Sequence, residues 1–188
     1  MERNAWMFCL LCWAVAPGAS DAQGSEPRTP ILIKLEGGGS HAAGPQTLSI
    51  VSGIYRPSGI ELQWDETAVD VARVLTIVIT TRDRAPAGVR IDAMGVAPTP
   101  GDGSRGSVAY IFLDAVQDFS STYRVSLPYV LACAIAHELG HLLLPPNAHR
   151  PDGIMRGTWY AADFPPKSPG ILGFPKDQAR LLRLRVNR

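Results

Sequence analysis

The stretch 127–149 constrains the fold most, because an apolar run leads straight into closely spaced histidines. Residues 127–136 are apolar almost all round, which is typical of a helix that crosses the interior of a domain. His137, Glu138 and His141 follow in the pattern His-Glu-x-x-His. Residues four apart share one helical face, so both imidazoles can bind one Zn²⁺ ion while the carboxylate reaches a water on that ion. The stretch therefore predicts a buried helix with two metal ligands and a base.

A buried helix with two incidental histidines is the alternative interpretation of this pattern. Burial of two histidines and a glutamate is costly unless a metal or hydrogen-bond partners compensate for it. The chain has only 4 histidines in 188 residues, so chance placement of the pattern is rare. Metal binding is therefore the stronger prediction.

A catalytic zinc site needs three protein ligands and one open position, so the third ligand is sought after His141. No glutamate follows Glu138 in the sequence, which excludes sites with a glutamate ligand on a later helix. The pair Pro145–Pro146 must end the helix and turn the chain, which favours His149. Asp152 stays open as an alternative by its reach and ligand type. The full set of candidates is His149, Asp152, Asp163 and Asp177.

The N-terminal residues 1–22 have the layout of a secretory signal peptide, with an apolar run at 5–16 and small residues after it. Ser20 and Ala22 fit the two positions that a signal peptidase reads, so cleavage after Ala22 is expected. The run is too short to span a bilayer, and no stable membrane anchor is expected. A secreted or periplasmic location follows, with 23–30 as a polar lead-in. The alternative is a buried N-terminal helix.

Length and charge set the broad class. A chain of 188 residues suits one domain with a true core, expected here over 31–188. The formal net charge is +1 and no basic stripe dominates, so no nucleic-acid partner is expected. Signal removal would leave Cys133 as the single cysteine, which we interpret as a buried small hydrophobe and not as a metal ligand.

Hydrophobic periodicity predicts the order of strands and helices. The predicted strands are 31–35, 60–64, 74–80, a short piece at 94–97, and 107–113. The predicted helices are 46–55, the metal-binding helix and 176–186, with a polar loop between the last strand and the metal-binding helix. This order predicts an α+β domain, in which a mixed, twisted sheet of about five strands supports the active-site helix, an N-terminal helix and a short C-terminal helix.

With its helix motif and a later methionine, the chain resembles the metzincin metallopeptidases. His137, Glu138 and His141 match the helix pattern of that family, and Asp152-Gly153-Ile154-Met155 looks like its methionine turn. The chain looks most like a group of small, secreted bacterial metzincin-like proteins with a longer loop before the third histidine. The resemblance implies a zincin/metzincin-like fold, one catalytic Zn²⁺ ion, and Met155 beneath the metal.

The loop after the helix departs from the family pattern. Leu144 occupies the family's glycine position, and Asn147 stands where the third histidine is usual, so His149 comes two residues late. Leucine is disfavoured in the left-handed conformation that the glycine normally adopts. We expect Asn147 to take that conformation after Pro145–Pro146 ends the helix.

The resemblance implies a secreted zinc peptidase that acts on a peptide or protein substrate. Zinc-activated water would attack the peptide bond, with Glu138 as the general base. In this family the substrate lies extended along an edge strand, and a tyrosine after the methionine turn sometimes assists. The expected substrate-contacting residues are Met94, Gly95, Val96, Ala97 and Tyr160. A monomer is the default expectation.

Two other functions compete with the peptidase. The first is an inactive, zinc-stabilised extracellular binding module, and the presence of Glu138 argues against it, because a structural site does not need that carboxylate. The second is a zinc hydrolase that acts on a non-protein amide, such as one of the cell wall. The sequence shows no aromatic-rich sugar groove, but it leaves this possibility open.

Overall fold

The computed structural model describes residues 29–65, 67–68, 74–89, 93–98, 100, 106–164 and 172–187. The predicted signal peptide, residues 1–22, lies outside these residues, as does the lead-in up to residue 28. Thr29 and Pro30, the end of the predicted lead-in, already belong to the first strand. The sheet therefore begins two residues before the start that the sequence pattern predicts.

Five strands form one mixed sheet: β1 (Thr29–Glu36), β2 (Ile60–Trp64), β3 (Val74–Thr80), β4 (Gly95–Val96) and β5 (Val108–Phe112). Their order across the sheet is β2-β1-β3-β5-β4. Neighbouring strands are parallel except for β4, which runs antiparallel to β5 at one edge. The α+β class with a five-stranded mixed sheet is confirmed.

One face of the sheet is buried and the other is only half covered. The strand register sets Leu35, Ile77 and Ala109 side by side, and all three are buried. Their neighbours along each strand, such as Lys34 before Leu35 and Thr76 before Ile77, are half-buried. Successive side chains of a strand point to opposite faces, so this alternation directs the apolar side chains toward the helices.

Four helices accompany the sheet: α1 (Pro45–Tyr55), α2 (Leu113–Tyr123), α3 (Leu127–Leu143) and α4 (Lys176–Val186). Three of them were predicted, and the bounds of α4 are confirmed. A proline in the first turn begins both α1 and α3, where its missing N–H costs no helical hydrogen bond. α3 contains both the apolar run and the histidine motif, as expected.

The prediction of a polar loop before the metal-binding helix is wrong, because this segment forms α2. Leu113 and Val116 are buried and Phe119 packs against the core, so apolar residues recur every three positions along a polar segment. The residues 120–122 are Ser-Ser-Thr, whose low helix propensity hid this spacing. Arg124 closes the helix with a left-handed φ of 54°.

α3 lies at the centre of the core, and α1, α2 and the sheet all pack against it. Tyr55, at the end of α1, donates its hydroxyl to the carbonyl oxygen of Ala136 at 2.8 Å. Cys133 is buried in this core, where burial raises the pKa of its thiol to about 12, in agreement with the interpretation as a small hydrophobe. Among the described residues, no helix combines the length and apolar character of a membrane span.

Candidate metal centre

Three imidazoles converge at the C-terminal half of α3. His137 and His141 lie one helical turn apart, and their Nε2 atoms are 3.1 Å from each other. The Nε2 atom of His149 lies 3.1 Å from that of His141 and 3.3 Å from that of His137. Zn–N bonds of about 2.0–2.1 Å place the nitrogens of a tetrahedral site about 3.3–3.4 Å apart. The three histidines can therefore hold a metal ion, and their spacing suits zinc.

The tautomer of His137 favours the same conclusion. Its Nδ1–H donates a hydrogen bond to the carbonyl oxygen of Ile154 at 2.8 Å, so Nε2 carries the free lone pair. That lone pair faces the Nε2 atoms of His141 and His149. Such a second hydrogen bond fixes the ring orientation of a metal-binding histidine.

The histidines of α3 are held in the neutral form that metal binding requires. Burial lowers the pKa of His137 to about 4, and proximity to His149 adds to the shift. Burial likewise lowers the pKa of His141 to about 4, with contributions from His137 and His149. Both rings are therefore unprotonated near neutral pH, and no proton competes with a cation for Nε2.

The loop after α3 returns the third histidine to the site. α3 ends at Leu143, and Leu144 is extended, with φ −90° and ψ 166°. Asn147 adopts φ 61°, which confirms the expected left-handed turn at this residue. The loop can therefore close without a glycine, and it carries His149 to the two helical ligands.

The acidic candidates for the third ligand lie elsewhere. Asp152 is exposed and does not belong to the group of residues whose ligand atoms converge. Asp163 pairs with Arg156 at 2.9 Å, and Asp177 pairs with Arg150 at 2.7 Å. His149, and not one of these carboxylates, therefore joins His137 and His141.

Met155 is fully buried and packs against α3 beside the histidines. A Cβ atom added to Gly140 would lie 2.3 Å from Met155 Sδ, so only glycine fits at this position of the helix. The turn before it bends at Gly153, which has φ +71°. Because the preceding residue, Ile154, accepts the hydrogen bond of His137, the turn contacts the helix and the ligand together.

Glu138 is buried, with 6 % of its surface exposed, and lies between α3 and the edge strand β4. Burial raises the pKa of its carboxyl to about 8, and a hydrogen bond from the backbone amide of Ala97 opposes this shift. A Cβ atom on Gly95 would lie 2.8 Å from Glu138 Cγ and 2.8 Å from the carbonyl oxygen of Tyr110. The absent side chain of Gly95 therefore makes room for Glu138.

A cleft of about 610 Å³ opens beside Glu138 and His137. Its described wall also includes Met94 and Gly95 from the predicted substrate strand. Val96 pairs with Tyr110 of β5, while the amide of Ala97 holds Glu138. The remaining lining residues are Arg82, Ala93, Ala115, Asp118, Phe119, Thr122, Tyr123, Ala134, Arg156, Gly157, Thr158 and Trp159.

Tyr160, the residue expected to assist, does not belong to the described cleft wall. The residue is 56 % exposed, and the guanidinium of Arg156 lies 5.2 Å from its ring centroid. The neighbouring Trp159 lines the cleft instead, and its ring is 5.4 Å from the ring of His137 and nearly perpendicular to it. Trp159 was not among the residues that the sequence pattern indicated, and its position four residues after Met155 is its one local signal.

Comparison with models of known protein families finds no match for the chain, and comparison with curated proteins finds no relative. The site combines three converging imidazoles, a buried carboxyl and an adjoining cleft.

Proposed function

We propose that the protein is a zinc-dependent peptidase of the metzincin type. One observation carries the proposal: the Nε2 atoms of His137, His141 and His149 converge next to the buried carboxyl of Glu138, at the wall of an open cleft. A structural zinc site is usually closed by four protein ligands, whereas a catalytic site has three and an open position. Three ligands at a cleft therefore support a catalytic site over the binding module.

Zinc is the ion that this ligand set suits best. Imidazole nitrogens bind Zn²⁺ well, whereas Ca²⁺ and Mg²⁺ prefer oxygen ligands. When bound, Zn²⁺ would polarise a scissile carbonyl and lower the pKa of a water molecule to about 7. His137, His141 and His149 would hold the ion, and as neutral ligands they leave its charge undiminished.

Glu138 is the proposed general base. It follows His137 directly and lines the cleft, so its carboxyl lies within the region where a substrate and water would meet. The amide of Ala97 and the open space at Gly95 fix its position against β4. A bound cation would favour the ionised form of this carboxyl and so lower its raised pKa, and the carboxylate would then take a proton from the attacking water and deliver it to the departing amine.

The edge of the sheet offers a place where a peptide substrate could bind in an extended conformation. β4 is a two-residue strand at the edge of the sheet and runs antiparallel to β5. An extended peptide can add to such an edge through main-chain hydrogen bonds. Met94 and Gly95 line the cleft next to Glu138, so a peptide on this edge would pass the proposed base. This edge strand, together with the turn at Met155, supports the metzincin-like fold.

A hydrolase for a non-protein amide is the second candidate, because aromatic residues line the cleft. Phe119, Tyr123 and Trp159 contribute to its wall, and Tyr123 is 50 % exposed. Exposed aromatic rings suit the apolar face of a sugar as well as an apolar peptide side chain. The same rings suit a peptide with a large apolar side chain equally well.

We also propose that the protein acts after export, on the strength of the signal-like segment 1–22. N-terminal sequencing of the exported protein tests this part. A mature chain that begins at Gln23 supports it, and a cell-retained protein that still begins at Met1 contradicts it.

The decisive experiment for the function measures hydrolysis by the zinc-loaded protein and by its Glu138→Gln variant. Substrates are a broad library of unstructured peptides and, in a second arm, cell-wall fragments with peptide–sugar amides. Peptide cleavage that is lost in Glu138→Gln with zinc retained supports the peptidase. Glu138-dependent cleavage in the second arm alone supports the second candidate, and zinc binding with no Glu138-dependent cleavage in either arm supports the binding module.

A further inference from the structure

We infer that residues 173–178, which we call the C-terminal clamp, position two of the three histidines of the metal centre. The clamp comprises the segment before α4 and the first turn of that helix. It contacts the backbone next to His149 and the backbone that holds His137. The inference rests on the metal centre that the proposed function also uses, but not on peptide hydrolysis.

His149 needs such support because of where it lies. His137 and His141 belong to a buried helix, whereas His149 lies in the loop beyond Pro145–Pro146 and its side chain is exposed. A loop residue without external contacts samples many conformations, and binding a metal would then cost that lost freedom. Fixing the loop in advance reduces this cost and raises metal affinity.

Gln178 fixes the residue directly before His149. Its Nε2 donates a hydrogen bond to the carbonyl oxygen of Ala148 at 2.7 Å, and its side chain is buried, with 4 % exposed. A buried glutamine is unusual in the first turn of a basic, largely exposed helix. Its Oε1 makes no hydrogen bond to any described residue, so the side chain is poorly explained as a stabilising core residue.

The residue directly after His149 is held from the same helix turn. The guanidinium of Arg150 pairs with Asp177 at 2.7 Å, and the Arg150 amide donates to the carbonyl oxygen of Met155 at 2.9 Å. Both partners of the ion pair are about half exposed, so we expect its contribution to be small. Gln178 is therefore the principal residue of the clamp for His149.

The clamp also reaches His137 through one intermediate. The carbonyl oxygen of Gly173 accepts a hydrogen bond from the amide of Ile154 at 2.9 Å. Ile154 in turn accepts the Nδ1–H of His137 through its own carbonyl oxygen at 2.8 Å. One short segment thus orients a helical ligand and a loop ligand, and we assign Gln178 as a positioning residue for the metal.

Zinc affinity of the Gln178→Met variant tests this inference. Methionine has a similar length and shape but cannot donate to Ala148. We expect zinc to bind about 10- to 100-fold more weakly, the range typical of residues that orient metal ligands. Removal of the unpartnered Oε1 offsets the lost hydrogen bond, so the metal-free unfolding temperature should change by no more than about 4 °C.

Three further variants make the test specific. Arg180→Met introduces the same residue on the exposed side of α4 and should leave zinc affinity unchanged. Asp177→Asn should weaken affinity by about fivefold at most. In a His149→Ala background, Gln178→Met should cause no further loss of affinity, because the ligand that it positions is already absent.

Zinc titration by chelator competition on the full chain gives the affinities, and the visible spectrum of the Co²⁺ form reports the ligand geometry. The inference is overturned if Gln178→Met binds zinc as tightly as wild type, if its effect persists in full in the His149→Ala background, or if wild type binds no zinc. Zinc binding with the expected losses but without peptide cleavage would overturn the proposed function alone. If Gln178→Met does not fold, Gln178→Asn, which shortens the donor by one methylene, replaces it in the same cycle with His149→Ala, and the same results overturn the inference.

Discussion

The Nδ1 atom of His137 donates a hydrogen bond to the carbonyl oxygen of Ile154 at 2.8 Å, so the turn at residues 153–155 orients a candidate metal ligand and also packs against α3. The hydrogen bond presents Nε2 of His137 to the other two imidazoles. The turn keeps this shape because Gly153 adopts φ +71° and Met155 is buried against α3. Backbone geometry at residues 153–155 should therefore control metal affinity.

Replacement of Gly153 by alanine tests that link. A Cβ there would lie 2.6 Å from the carbonyl oxygen of Gly173, and the left-handed φ alone costs about 1–2 kcal/mol. We expect Gly153→Ala to destabilise the protein by more than this and to weaken zinc binding. Gly88→Ala is the matched control, since Gly88 has φ +80° but nothing within 4 Å of an added Cβ. Urea unfolding and zinc titration of both variants check the prediction; equal losses in the two would contradict it.

The contact between Gly140 and Met155 gives a second prediction. A Cβ on Gly140 would lie 2.3 Å from Met155 Sδ, so we expect Gly140→Ala to cost about 1–3 kcal/mol of stability. Gly53→Ala in α1 meets nothing within 4 Å and should be neutral or gain up to about 1 kcal/mol from helix propensity. Thermal unfolding of both variants is the measurement. A Gly140→Ala protein as stable as Gly53→Ala would show that Met155 does not pack there.

The metal-free protein should lose stability as the pH falls from about 6.5 to about 4. The pKa values of His137 and His141 are about 4 in the folded state, whereas an unfolded histidine titrates near 6.5. Between these values the two histidines bind protons in the unfolded chain but not in the folded chain, so acid favours unfolding, and above about 6.5 they contribute no slope. Glu138, whose pKa is raised to about 8, opposes part of this effect and lowers stability as the pH rises toward 8.

Unfolding midpoints in urea from pH 4 to 8, with a chelator present, measure this dependence. His141→Gln should reduce the slope, because one of the two groups is removed. An unchanged slope in His141→Gln would contradict the assigned cause.

Gly95→Ala should separate catalysis from metal binding. The added Cβ would lie 2.8 Å from Glu138 Cγ and 3.1 Å from its Oε1, which displaces the proposed base while leaving the histidines in place. We expect zinc to bind within about threefold of wild type and kcat to fall by about 100-fold or more, as for loss of a general base. Gly38→Ala, with open space around it, is the control. Full activity in Gly95→Ala would contradict the role of Glu138.

The sequence predicted the parts of the fold that depend on local pattern. The β-branched run of β3 and the amphipathic α4 have the bounds that periodicity predicted. α2 was missed because its helix is stabilised by burial of Leu113 and Val116 against α3, which a polar local sequence does not reveal. Tertiary packing overrode local propensity there.

The candidate site also has residues that the sequence predicted and contacts that it did not. His137, Glu138 and His141 followed from one helical spacing, and the choice of His149 followed from the prolines and from the left-handed preference of Asn147. The contact of Gly95 with Glu138 joins residues 43 positions apart, and no local pattern encodes it. The hydrogen bond of Gln178 to Ala148 is equally hidden, since 30 residues separate the two.

X-ray absorption at the zinc edge tests the three-histidine centre most directly. For the wild-type protein with one equivalent of zinc, we predict three imidazole nitrogens at about 2.0–2.1 Å and one oxygen ligand from solvent. His149→Ala should lose one imidazole, whereas Asp152→Ala should give the wild-type spectrum. Failure to bind one equivalent of zinc, or a His149→Ala protein that retains three imidazole ligands, would contradict the account.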